Sequence, residues 1–195
     1  MTNRKYSFVV AGGLAILALF AALWVVLIIP KMNRTAADSL GMGDYALLTT
    51  DRTPFTEESL KGTPSAVFFG FTHCPEVCPT TLGDIAGWQA ELADQGKELR
   101  TYFVTVDPER DTIDMMQEYV SWVPGVLGVS GPEDEIKKAI TSFRVYAQKV
   151  PLKNGGYTMD HSAFVMLFDN KGRFVQTISY GEQFDSAMKK IDALL

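Results

Sequence analysis

The chain has 195 residues, 47% hydrophobic and 21% charged, with 18 basic and 23 acidic side chains for a net charge of −5. Residues 1–34 hold four of the bases (Arg4, Lys5, Lys31, Arg34) and no acid, which leaves 14 bases against all 23 acids in the remainder. A domain this acidic is a poor candidate for binding driven by phosphate neutralisation, so no nucleic acid is expected as a ligand, and it should not adhere broadly to anionic lipid.

Phe8–Ile29 is an uncharged, mainly apolar run of 22 residues. At about 1.5 Å per residue it is long enough to cross a hydrocarbon core of roughly 30 Å. A cleaved secretory signal has an apolar region of about 7–15 residues followed by a small-residue site. Here the run is longer, and neither an A-x-A site nor a cysteine for lipid attachment follows it. It reads as an uncleaved single transmembrane anchor. Two bases flank each side, so the positive-inside count is a tie. The short N-terminal tail favours a cytoplasmic N-terminus with the large domain exported. Residues 1–34 are thus tail and anchor, and 35–43 form a small, polar, Gly-containing linker. A domain follows over 44–195, a common size for one unit.

Within the domain, Tyr45–Thr50 and a short partner near Phe55 predict an entry hairpin turning at Asp51-Arg52. Ser65–Phe71 is a continuous apolar run, as expected of a strand buried on both faces. The segment His73-Cys74-Pro75-Glu76-Val77-Cys78-Pro79 follows at once. Leu82, Ile85, Trp88 and Leu92 then recur at helical spacing, and Leu99–Val106 reads as a second central strand. Asp111 is expected to cap a helix whose apolar face is Ile113, Met116, Val120 and Val123. Pro132 with Glu133, Asp134 and Glu135 opens another helix, facing inward with Ile136, Ile140 and Phe143. Ser162–Phe168, the turn Asp169–Gly172 and Arg173–Ser179 form a second hairpin. A final helix presents Phe184, Met188, Ile191 and Leu195.

The predicted order is βαβα, a further helix, then ββα. Alternating β and α implies parallel strands with right-handed crossovers. The expected class is α/β, a thioredoxin-like fold with an N-terminal entry hairpin, preceded by the transmembrane helix. Sites in such sheets form at the carboxyl ends of the strands, where the two cysteines fall.

Cys74 and Cys78 are the chain's two cysteines. Four apart on a helical turn, they permit a disulfide or two thiolates converging on one metal. At a strand–helix junction, free amides and the helix dipole are expected to lower a thiol pKa. A purely structural bridge closing so short a loop would stabilise little. The functional readings are a redox dithiol and a metal site. Thioredoxin-type redox motifs have two residues between their cysteines, not three. Such oxidoreductases also keep a cis-proline before the strand that opens the hairpin. Here that place reads Met159-Asp160-His161-Ser162, which in the expected fold sets an imidazole beside the cysteines. Two thiolates and one imidazole favour copper over zinc, because structural zinc wants a fourth ligand. Glu76 is the one candidate general base for a catalytic zinc alternative. His73 reads as supporting or structural. Asp160 could orient His161 or simply be a solvated loop acid.

Phe71–Thr81 (Phe-Thr-His-Cys-Pro-Glu-Val-Cys-Pro-Thr-Thr), Val104–Thr112 (Val-Thr-Val-Asp-Pro-Glu-Arg-Asp-Thr) and Asp160-His161-Ser162, in this order, resemble the Sco/SenC family over about residues 40–195. Glu76 stands where the family usually has Asp. The resemblance implies a copper metallochaperone that supports assembly of the binuclear CuA centre on subunit II of cytochrome c oxidase. Copper, as Cu(I), Cu(II) or both, would be held by Cys74, Cys78 and His161 and received from a periplasmic donor chaperone. It also implies a bacterial inner-membrane location with the domain in the periplasm. The rival function is a membrane-anchored thiol-disulfide oxidoreductase using Cys74 and Cys78 as its redox pair. A peroxiredoxin-like peroxidase is more distant, since its Thr and Arg around one cysteine cannot be placed. Asp107–Asp111 also matches the family, as loop and helix cap or as a docking surface.

Overall fold

The structure is a computed structural model that describes residues 39–153 and 155–195, together with Leu17, Phe20 and Leu23. Apart from those three residues, the expected anchor Phe8–Ile29 lies outside the described residues. Among the described residues no helix is long and apolar enough to cross a membrane. Ser39–Leu195 forms one compact unit.

The entry hairpin is present as β1 (Leu47–Thr49) and β2 (Pro54–Phe55), antiparallel, with Arg52 in the left-handed region at φ 64° in the turn. A short 3-10 helix follows over Glu57–Leu60. β3 (Ser65–Gly70) is buried along its whole length, as its unbroken apolar run demands. α1 (Val77–Asp94) turns Leu82, Ile85, Trp88 and Leu92 inward. Full burial of such side chains is worth about 1.5–3 kcal/mol each. β4 (Arg100–Thr105) pairs in parallel with β3, from Ser65 opposite Arg100 to Gly70 opposite Thr105. α2 (Ile113–Val120) is capped by Thr112, whose side chain accepts from the Met115 amide. Asp111, expected as that cap, is instead buried and bonded elsewhere.

Two features were not anticipated. β5 (Val126–Ser130) lies between α2 and α3 (Glu133–Ser142) and pairs in parallel with β4. Then β6 (Ala147–Pro151) and β7 (Tyr157–His161) form an antiparallel hairpin that is a sheet of its own. β8 (Phe164–Phe168) and β9 (Phe174–Ser179) make the predicted second hairpin, and α4 (Phe184–Asp192) closes the domain. Ala187, Met188 and Ile191 form its buried face, while Phe184 and Leu195, expected inside, are exposed at 45% and 40%.

The main sheet runs β2-β1-β5-β4-β3-β8-β9. Its parallel centre β5-β4-β3 is flanked by the antiparallel β1 and β8, the thioredoxin-like plan with the entry hairpin at one edge. Because β3 and β4 run side by side in register, their carboxyl ends deliver two loops, 71–76 and 106–111, to the same edge of the sheet.

Candidate metal centre

Cys74 sits in the loop leaving β3, and Cys78 is the second residue of α1. The loop tightens where the Cys74 amide donates to the Phe71 carbonyl (3.2 Å). The helix starts without a side-chain cap from Glu76. Part of that role falls to sulfur, because the Cys78 amide points at Cys74 Sγ (3.4 Å). Both cysteines are free thiols, Cys78 buried and Cys74 half-buried. Gly70 is what admits the deeper sulfur: a Cβ there would lie 2.7 Å from Cys78 Sγ and 2.5 Å from the Phe103 ring.

His161 ends β7 and reaches the cysteines from the other side. Its Nε2 is 3.6 Å from Cys78 Sγ. Its Nδ1 is 2.9 Å from the Ser162 carbonyl. A carbonyl only accepts, so Nδ1 carries the proton and Nε2 presents a lone pair toward the sulfurs. The Phe71 ring stands edge-on to the imidazole at 5.6 Å and 90°, and Phe68 lies 6.5 Å away. Asp160 is exposed and pairs across the hairpin with Gln148, so it does not orient the imidazole; the Ser162 carbonyl does.

The ligand atoms of Cys74, Cys78 and His161 all lie within 4.8 Å of one another. A metal at about 2.3 Å from sulfur and 2.0 Å from nitrogen in a trigonal plane would set S and N about 3.7 Å apart, close to the 3.6 Å observed. The donor set and this sulfur–nitrogen spacing therefore fit a soft metal ion, and among the described residues no fourth Cys, His, Asp or Glu joins the group. Glu76 is exposed and outside this group, as is His73.

Burial pushes the Cys78 thiol well above its ordinary range, and the nearby Cys74 and Asp111 add to this; the Phe71 backbone hydrogen bond opposes it. The expected lowering by the helix N-terminus is thus overridden at Cys78, because desolvation of a fully enclosed sulfur outweighs a partial dipole charge.

The loop after β4 braces both halves of the centre. Asp111, fully buried, accepts from the Thr72 amide (3.0 Å), the Thr72 hydroxyl (2.5 Å) and the Thr105 hydroxyl (2.6 Å). With its proton spent on Asp111, the Thr72 oxygen faces His73 Nδ1 at 3.0 Å, so the exposed His73 is tied to the Thr72–Asp111 brace and is not among the grouped ligand atoms. Asp107, also buried, accepts from the Tyr157 hydroxyl (2.8 Å) and from Arg110 Nε. Burial and that bond push the Tyr157 hydroxyl up to about 12, so it remains a donor at neutral pH.

A family model described as SCO1/SenC matches residues 33–195. The chain belongs to the SCO1/SenC family. Among solved structures, this SCO1/SenC domain is similar to Bradyrhizobium japonicum ScoI with copper bound, at 42% identity and a TM-score of 0.71, covering 79% of this chain and 99% of that one. It is similar to yeast Sco1 with copper bound at 34% identity and a TM-score of 0.72, covering 80% of this chain and 87% of that one. The mitochondrial protein SCO2 of Saccharomyces cerevisiae is 35% identical over 153 residues, 76% of this chain and 51% of that protein. The chain spans about half the length of the curated yeast relatives it matches.

Proposed function

We propose that this member of the SCO1/SenC family is a copper metallochaperone that loads the CuA centre of cytochrome c oxidase subunit II, with Cys74, Cys78 and His161 as the copper ligands. The observation that carries the reading is the convergence of two free thiols and one Nε2 lone pair within 4.8 Å. In the reduced state the two sulfurs and the imidazole hold copper. Cys74 is half-buried, so an incoming thiolate can displace one ligand at a time and pass the ion on. Oxidation to a Cys74–Cys78 disulfide removes both thiolates, which makes copper retention depend on redox poise.

The reading extends to the chain's placement. Phe8–Ile29 serves as a single inner-membrane anchor within residues 1–34, residues 35–43 as linker, and 44–195 as the copper domain in a bacterial periplasm, receiving copper from a periplasmic donor chaperone. Its support is the length of the apolar run and the family membership. The rival reading, a dithiol reductase using the same two thiols, is disfavoured by His161, which converges on the sulfurs as a metal ligand would and which disulfide exchange does not require.

Deleting the gene in its host and measuring cytochrome oxidase activity across a copper range tests the delivery role. The activity should fall most when copper is scarce and return with the wild-type chain but not with Cys74→Ser. Full activity under copper starvation would sink the proposal.

A further inference from the structure

β6–β7 carries His161 but belongs to no larger sheet. A two-stranded hairpin is at best marginally stable alone in water, so something must fix its angle over the cysteines. At the His161 end, the chain runs directly into β8, and the Tyr180 amide donates to the Ala163 carbonyl (3.2 Å). At the far end of β7 the tie is Tyr157, and almost everything that holds Tyr157 comes from Arg110 and its neighbours. Arg110 Nη1 donates to the Tyr157 carbonyl (3.1 Å), and the guanidinium carbon lies 4.0 Å from the centre of the Tyr157 ring. Arg110 Nε is paired with the buried Asp107, which also receives the Tyr157 hydroxyl. Lys149 of β6 completes the cluster, 3.8 Å from the same ring and paired with Glu109 at 2.7 Å.

Arg110 also reaches the imidazole by a second route. Its guanidinium carbon is 5.8 Å from the centre of the Phe71 ring, the same ring that stands edge-on to His161. Its Nη2 is buried without a hydrogen-bond partner. A surface arginine kept for solubility would not accept that desolvation.

We propose that Arg110 is the positioning residue of the metal centre, clamping Tyr157 and Phe71 so that His161 Nε2 is held at ligand distance from Cys78 Sγ. Arginine fits the role because its planar guanidinium lies against a ring while separate, fixed N–H groups donate to Asp107 and to the Tyr157 carbonyl, a fork that lysine's point-like ammonium lacks. The proposal rests on the copper reading above, and it makes Arg110 matter for copper only through His161.

The test is a double-mutant cycle on the full-length, reduced chain, titrated with Cu(I) against a competing chelator. Arg110→Ala should weaken Cu(I) binding about 10–100-fold, the usual effect of removing a group that orients a ligand. Arg110→Lys, which keeps the Asp107 pair and so protects the fold, should weaken it less. In a His161→Ala background either change should cost less than about a further twofold, the ordinary limit of additivity. Unchanged affinity with His161 intact would overturn the proposal, and so would an equal loss with His161 absent. Hydrogen exchange on the copper-free chain reads the clamp independently of copper. In Arg110→Lys, amides of Tyr157–His161 should exchange faster while those of β3 and β4 do not, and unaltered hairpin exchange would overturn the clamp. Failure of the wild-type chain to bind copper would instead remove the metallochaperone reading.

Discussion

Gly70→Ala sets two well-known effects against each other at the floor of the site. Gly70 ends β3 without a left-handed φ, so alanine fits the backbone and should gain about 0.4–1 kcal/mol from a less flexible unfolded chain. The added Cβ, however, would lie 2.5 Å from Phe103 Cε2 and 2.7 Å from Cys78 Sγ, both closer than real contacts allow. Neither neighbour has room to give. Phe103 is fully buried, with its ring 5.5 Å from Phe68 and 5.6 Å from Tyr119, and Cys78 is likewise fully enclosed. Overpacking of this kind destabilises by about 1–3 kcal/mol. The steric effect wins, giving a net loss of about 1–2 kcal/mol in urea unfolding. Moving Cys78 Sγ off its position should weaken Cu(I) binding as well. If Gly70→Ala were as stable as wild type with unaltered copper affinity, the claim that this glycine exists to seat the sulfur would be refuted.

The raised pKa of Cys78 predicts that copper binding displaces a proton, because the metal takes the thiolate. Affinity should therefore rise by about tenfold per pH unit for each proton released, between about pH 6 and 8; chelator competition across that range checks it, and a flat profile would contradict it. Away from the site, Glu182 accepts from Lys190 Nζ (2.8 Å), the Ser186 hydroxyl (2.7 Å) and the Ser179 amide (3.0 Å), and these hold its carboxyl at about 2. A depressed carboxyl stabilises above its unfolded pKa and loses that contribution as pH falls through its folded value. Glu182→Gln should thus cost about 1–2 kcal/mol near neutral pH, after allowance for solvent screening, and almost nothing by about pH 2. Equal destabilisation at both pH values in denaturant titrations would argue against it.

Much of the fold was legible because its period and burial coincide. β3 is buried throughout and reads as an unbroken apolar run, and α1 repeats its inward residues at helical spacing. β5 was hidden by its own packing. It is short, follows Pro124-Gly125, and contains Gly128, where a Cβ would meet Thr50 Cγ2 at 2.8 Å and Met116 Cβ at 3.0 Å. The close approach of α2 requires the glycine, and the glycine erases the strand pattern. β6 and β7 are half-exposed or exposed along their length, so no face is consistently apolar. That concealed the hairpin that carries His161. The imidazole's position was reachable by placing it where an oxidoreductase keeps its proline, and the three-ligand set followed from the family motif. Asp111 was misread because Asp and Thr are adjacent and both cap well. Only the packing shows that Thr112 caps, while the Asp111 carboxylate turns inward to Thr72 and Thr105. The bracing role of Asp107 and Arg110 depends on Tyr157, 47 residues beyond Arg110, and no local signal announces such a contact.

The most direct test of the three-ligand copper centre is a titration of the reduced chain with Cu(I), comparing wild type with Cys74→Ser, Cys78→Ser and His161→Ala. The wild type should bind one copper per chain, and either serine variant should lose tight binding. His161→Ala should lose more than the roughly 10–100-fold that removal of a supporting group costs, while its two thiols still oxidise to a disulfide. A His161→Ala chain that binds copper as tightly as wild type would contradict the centre described here.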